Sequence, residues 1–178
     1  MNLIRNKIAT KKIQEVSIER SPVYILGTDY KVKIVYRNVR VPELDIENKT
    51  IKISLPNKYK KTENKKILDL AIEKMYEQIA KVEIERAMEK IRILLGFAPN
   101  DYKIKNMKNE IGRCKNNTIT INPKIVMFHR NIIDYVVLHE YCHLKYKTHC
   151  KSFYKMLEEY EENYEKYEEI IKSNLFEL

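Results

Sequence analysis

The chain has 178 residues, of which 44% are hydrophobic and 33% charged, with three glycines, five prolines and no tryptophan. That length supports one domain, or one domain with an appendage, and a core large enough to stand without disulfide staples. Such a composition excludes collagen-like and low-complexity chains, and no run approaches the ~20 apolar residues of a membrane helix.

The three cysteines, Cys114, Cys142 and Cys150, are odd in number and form no CxxC pair, which speaks against a disulfide framework and against a four-cysteine metal site. The N-terminus lacks the apolar core of a secretory signal, so the expected compartment is the cytoplasm. The net charge of +9 is unevenly spread: residues 1–66 hold 16 basic and 7 acidic residues, residues 139–178 hold 6 and 9. This asymmetry is of the kind that accompanies contact with nucleic acid or another polyanion. The lysines nevertheless alternate with apolar residues, as solvent faces of strands do, and no nucleic-acid-binding motif accompanies them.

In chain order, the apolar run 23–26, the turn signal at Gly27, Thr28 and Asp29, and the alternation of Tyr30, Val32, Ile34 and Tyr36 with Lys31 and Lys33 predict a hairpin with one buried face. Ile51, Ile53 and Leu55 predict a further strand, closed by Pro56. Over 65–95 the period changes. Leu68, Ile72, Met75, Ile79, Val82, Met88, Ile91 and Leu95 fall three and four apart, which predicts one long helix, capped by Thr62 or Asn64 and ended by Gly96 and Pro99. Two strands are expected at 102–107 and 118–122, with the loop NEIGRCKNN between them. Asn131 with Asp134 three residues on reads as a helix start of the capping-box kind, and a strongly apolar stretch follows. Residues 150–173 read as one helix with Phe153, Leu157, Tyr160, Tyr164, Tyr167 and Ile171 as its apolar stripe. The fold class expected is α+β, with a small antiparallel sheet, a basic β-rich region over 1–62, and the main domain over 63–178.

The chemistry is concentrated in HEYCHLKYKTH, residues 139–149, which holds three of the four histidines. His139, Glu140 and His143 form HExxH. On a helix, positions four apart share a face, so both imidazoles can address one ion while Glu140 reaches a water on it. Zinc accepts neutral imidazole nitrogens and, with three protein ligands, keeps a position open for solvent. The third ligand is either His149, if the helix stops near Tyr146–Thr148 and the chain turns back, or a carboxylate from Glu158, Glu159, Glu161 and Glu162, if the helix runs on. HExxHxxxxxH is also the metzincin spacing, but the metzincin turn glycine would fall at Tyr146 and no separate methionine turn follows; Met156 reads as core. Cys142 faces away from the histidines, and His129 lies outside their cluster.

Several stretches together carry a more specific signal: IGRC at 111–114, TITIN at 118–122, IDYVVLHEYCHL at 133–144, THCKSFY at 148–154 and the Tyr164 segment. They resemble the YgjP-like metallopeptidases, a zincin family related to SprT-type proteins. The family pattern has tryptophan at Ile111, serine at Arg113, asparagine and serine at Thr148 and Cys150, and tryptophan at Tyr154. The resemblance implies a zincin-like core and one zinc per chain, assigns the metal to His139, His143 and His149, and assigns catalysis to Glu140.

The activity expected is hydrolysis of a peptide or protein substrate by a metal-activated water. An extended peptide would pair with the strand 118–122, with Thr118 and Thr120 as contacts. Arg113, Tyr154 and His129 are candidates for stabilising the oxyanion. Two rival readings are hydrolysis of a nucleotide phosphoanhydride, which the absence of a phosphate-cradling glycine loop disfavours, and a nucleic-acid-associated module with a structural or vestigial zinc, which has no use for Glu140. No membrane partner is expected.

Overall fold

The computed structural model describes residues 15–16, 22–60 and 65–174. Thr62 and Asn64, the expected helix caps, lie outside them. The elements are β1 (Glu15–Val16), β2 (Val23–Ile25), β3 (Thr28–Arg37), β4 (Glu43–Glu47), β5 (Thr50–Pro56), α1 (Lys65–Leu95), β6 (Asp101–Ile104), β7 (Gly112–Lys115), β8 (Thr118–Ile121), α2 (Arg130–Lys145), α3 (Lys151–Tyr160) and α4 (Tyr164–Asn174). The class is α+β. Among the described residues no helix is long and apolar enough to cross a membrane.

There are two sheets. The first has five strands in the order β1-β3-β5-β4, with β2 also on β3; the second has three, in the order β6-β8-β7. Neither is the antiparallel sheet expected. In the first, β3 and β5 are parallel and β4 is antiparallel to β5. The second repeats that arrangement: β6 and β8 are parallel, β7 antiparallel to β8. In both, the chain crosses to the far edge and returns by a hairpin to the middle. The most apolar strand thus takes the place where both of its edges are paired. Ile51, Ile53, Leu55, Ile119 and Ile121 are all fully buried. The charged β4 (ELDIE) and β7 (GRCK) stand at the edges, where charge also guards against unwanted pairing. These two edge strands, and the two-residue edge strand β1, were missed in the sequence; β7 lies inside the expected loop, because four residues of mixed polarity carry no period of their own.

The hairpin turns are two residues long with positive φ at both positions: Leu26–Gly27, Asn48–Lys49 and Asn116–Asn117. That is the turn whose twist suits a tight hairpin. Leu26 adopts this conformation despite its Cβ, at φ 49. Its N–H donates to the Val126 carbonyl at 2.7 Å, and the Gly27 N–H to the Met127 carbonyl at 3.1 Å. The hairpin tip is thereby fastened to the 3-10 turn Pro123–Met127 ahead of α2. Gly27 is required twice over, since a Cβ there would stand 2.3 Å from the His129 ring.

Helix α1 has the expected bounds, and the Gly96 N–H closes its last turn onto the Arg92 carbonyl at 2.9 Å with φ +74. Its buried stripe runs through Leu68, Met75, Tyr76, Ala80, Glu83, Ile84, Ala87, Met88 and Ile91, while Val82 is 66% exposed and does not belong to it. The stripe uses small alanines where another element comes close, which a count of large apolar residues overlooks. The Tyr76 hydroxyl donates to the Tyr24 carbonyl at 2.9 Å, tying α1 to the first sheet. One cluster of buried side chains joins both sheets to α1, α2, α3 and α4.

Helix α2 begins at Arg130, with His129 at the cap position and no side-chain cap, so the expected start at Asn131 is corrected. Asp134 is instead engaged by α1: Arg86 Nη2 and Lys90 Nζ each donate to it at 2.6 Å. The expected single helix over 150–173 is two helices. Four glutamates at 158, 159, 161 and 162 repel at helical spacing, Glu161 takes an extended conformation, and its side chain accepts from the Asn163 N–H at 3.1 Å. Tyr160 consequently stands 37% exposed.

Candidate active site

Helix α2 runs buried for most of its length and emerges at its C-terminal turns, which carry His139, Glu140 and His143. It ends at Tyr146, whose φ is −120. The Lys147 ammonium donates to the freed His143 carbonyl at 3.2 Å, a cation placed at the helix's negative end. A short turn then brings His149 back before α3 starts at Lys151.

His139, His143 and His149 converge. Their ligand-capable atoms all lie within 4.8 Å of one another. Nε2 of His139 and Nε2 of His149 are 3.0 Å apart. The imidazole rings stand 4.8–5.0 Å apart, centroid to centroid. Beneath them the fully buried Phe153 ring lies 4.7–5.0 Å from all three. Among the described residues the carboxylates of 158–162 are not part of this group.

The imidazoles are oriented from behind. His143 Nδ1 donates to the Tyr146 carbonyl at 2.9 Å, which leaves its Nε2 as the acceptor. His139 Nδ1 lies 3.3 Å from the Tyr135 hydroxyl, and that hydroxyl donates to Glu168 at 3.1 Å. Having given its proton to Glu168, the Tyr135 oxygen accepts from Nδ1–H and frees His139 Nε2. Burial, with His143 and His149 alongside, pushes the His139 imidazolium down to about 4. Burial also lowers His143, with His149 and Lys147 adding to it and the Tyr146 hydrogen bond opposing. These are neutral nitrogen donors, as metal ligation requires.

Glu140 is 5% exposed. Its Oε2 is, among the described residues, the one buried side-chain N or O atom without a hydrogen-bond partner. Burial, with Glu110 adding to it, pushes the carboxyl up to about 8. An isolated buried acid is costly, and a cation beside it would supply the missing partner. Three converging imidazoles and an orphaned acid oxygen in one place fit a metal ion. In a tetrahedral zinc site the ligand nitrogens stand about 3.3–3.4 Å apart, so the His139–His149 pair at 3.0 Å would open slightly while the overall spread of up to 4.8 Å closes.

Space for the acid is left by the second sheet. A Cβ on Gly112 would stand 2.6 Å from Glu140 Oε1 and 3.1 Å from its Cγ and Cδ. A cavity of about 330 Å³ opens on one side, with Ile111, Val136, Ile171 and Tyr154 among its walls and His139, Glu140 and His149 at its floor.

The other candidates are placed as follows. Tyr154 lines that cavity, its ring 6.0 Å from His149. Arg113 is at the rim on the opposite side, 54% exposed, its guanidinium held by Glu110 at 2.7 Å through two nitrogens. His129 stands at the other end of α2, ten residues or about 15 Å from His139, and is not brought to the site. Thr118 and Thr120 lie on β8, whose two edges are already taken by β6 and β7, so the expected peptide-pairing strand is corrected. Cys142 is fully buried away from the histidines. Among the described residues all three cysteines are free. Gly112, Tyr135, Phe153 and Glu168 were not singled out in the sequence as site residues. Phe153 and Tyr135 each carry a helical-spacing signal, four residues after His149 and four before His139; Glu168 carries none.

No curated protein matches the chain. Among solved structures it is similar to the metallopeptidase zymogen of Pyrococcus abyssi abylysin, at 26% identity and a TM-score of 0.45, over 51% of this chain and 93% of that one. The model of the YgjP-like metallopeptidase domain matches residues 1–174. Nearly the whole sequence is covered, and the protein belongs to the YgjP-like family of metallopeptidases.

Proposed function

We propose that this protein is a zinc-dependent metallopeptidase in which His139, His143 and His149 hold one ion and Glu140 is the general base. The observation that carries the reading is the unpartnered, buried Glu140 Oε2 beside three converging imidazoles. A set of neutral nitrogen donors suits zinc, which when bound polarises a carbonyl oxygen and acidifies water. Glu140 accepts a proton from the attacking water, and the oxygen adds to the scissile carbonyl carbon. As the C–N bond breaks, Glu140 returns that proton to the leaving amine nitrogen. The apolar wall of Ile111, Val136 and Ile171 keeps bulk water from the carboxyl.

Strand β7 is the element suited to hold the peptide. Its two-residue turn makes Lys115 and Thr118 a hydrogen-bonded pair, and the Asn122 N–H donates to the Ile111 carbonyl at 2.8 Å. By alternation, the backbone groups of Gly112 and Cys114 face the free edge, beside Glu140. An extended substrate can add there as a further strand. Tyr154 makes no hydrogen bond through its hydroxyl among the described residues, and is the group available to donate to the developing oxyanion.

The test is turnover of a peptide library by zinc-loaded protein. Glu140→Gln should keep the metal and lower kcat by at least about 10³-fold, while Tyr154→Phe should lower kcat several-fold with metal content unchanged. A Glu140→Gln protein that hydrolyses peptides at the wild-type rate removes this mechanism.

A further inference from the structure

The C-terminal helix α4 contributes no ligand and no part of HExxH, yet it reaches the metal-binding face. Glu168 sits on α4 with its side chain 21% exposed and accepts from the Tyr135 hydroxyl at 3.1 Å. The same hydroxyl meets His139 Nδ1 at 3.3 Å. Lys172, one turn on, donates to the other oxygen of Glu168 at 2.9 Å. Burial alone would raise the Glu168 carboxyl, but its hydrogen bonds to Lys172 and Tyr135 outweigh that and hold it below the ordinary range, so it is an anion. Tyr135 is 2% exposed and packs its ring 5.7 Å from Tyr167, also on α4. Ile171 anchors the same helix at 7% exposed.

We infer that Tyr135 and Glu168 are positioning residues for His139, and that docking of α4 and binding of the metal are coupled through them. This rests on the metal-binding reading of the three histidines. A neutral imidazole has one N–H; the Tyr135 oxygen accepts it at Nδ1 only because the hydroxyl proton is committed to Glu168. That commitment leaves the Nε2 lone pair facing His143 and His149 and makes it a better donor, as a partner behind a ligating histidine does. Without Glu168 the hydroxyl can turn its proton toward Nδ1, which favours the wrong tautomer. Coupling is reciprocal: a metal that favours the ordered His139 must favour docked α4 by the same factor.

The full chain is stripped of metal, and zinc affinity is measured by competition with a chelator of known strength. Binding alone is read, so the result does not depend on peptidase activity. Tyr135→Phe keeps the ring and removes only the hydroxyl. It should weaken zinc about 10–100-fold while the melting temperature of the metal-free protein stays within about 3 °C. Glu168→Ala should weaken zinc to a similar degree and Glu168→Gln less, because its amide oxygen can still accept from Tyr135. The double variant Tyr135→Phe with Glu168→Ala should bind no more weakly than the worse single one, since both break one chain. Zinc should also slow amide exchange in 164–174 in the wild type and lose that effect in Tyr135→Phe. Wild-type-like affinity in Tyr135→Phe, or losses that multiply in the double variant, would overturn the inference and leave the metal site standing. Failure of the wild type to take up zinc would overturn both.

Discussion

Two glutamates in this molecule are buried to the same 5% and live in opposite circumstances. Glu83, on α1, accepts from Arg130 at 2.6–3.1 Å and from Arg86 at 3.0 Å. The Arg130 hydrogen bonds, with Arg86 in support, outweigh its desolvation and hold its carboxyl below the ordinary range. Glu140, on α2, has no partner for one oxygen among the described residues, and burial pushes it up to about 8. Arg86 goes on to Asp134, six residues before Glu140 on the same helix, so the chain supplies cations where a buried acid serves the fold. Among the described residues nothing pairs with Glu140 Oε2, as the general base proposed for that position would need. A site that costs stability in this way is the mark of function.

That contrast can be broken at several points. The largest effect is expected from Gly112→Ala. Its Cβ would meet the Glu140 carboxyl at 2.6 Å, and a displacement of about 1 Å should lower kcat about 100-fold while zinc content is retained. Kinetics equal to wild type would mean that Glu140 is not held by that contact. Next is Glu83→Ala, which should cost about 2 kcal/mol in chemical denaturation. The low end of the range applies because its partners Arg86 and Arg130 are 36% and 60% exposed and stay hydrated. Glu140→Leu should run the other way in metal-free protein, stabilising it by about 1 kcal/mol as an orphaned polar group is replaced by an apolar one, with activity lost. A destabilised Glu140→Leu would show that the acid has a structural partner after all.

The smallest effect is in pH dependence. Glu83 has a lower carboxyl pKa folded than unfolded, where the reference is about 4.3. Its contribution to stability is therefore fully present above that value and is lost as pH falls through the folded value. Acid unfolding monitored by circular dichroism should be less steep for Glu83→Gln than for the wild type. Identical acid limbs would remove the ion pairs from the stability account.

How much of this was legible beforehand follows the range of each signal. Helix α1 has its expected ends because Gly96 acts within one turn of its own backbone. The HExxH face is likewise local. The turn at Tyr146 that returns His149 is less so, and the sequence left a carboxylate from 158–162 open as the alternative; Phe153, packed under all three rings, closes the turn. The position of β8 was not legible. TITI reads equally well as an edge or a centre, and only the arrival of β6 on one side and β7 on the other makes it the centre. The unpaired strand edge beside Glu140 is therefore that of β7, at Gly112 and Cys114, and not that of Thr118 and Thr120.

The sequence by itself determined the α+β class, the long helix and the three histidines with their glutamate, because each is written in spacings of two, three or four residues that backbone geometry turns directly into a face. Tertiary structure decided which strand is an edge, that Gly112 makes room for the acid, and that Glu168 on the last helix stands behind Tyr135. Those are meetings between separate segments, and no periodicity records them: they exist only where burial brings two elements to one place and a charge, a hydroxyl or a missing side chain is there to meet.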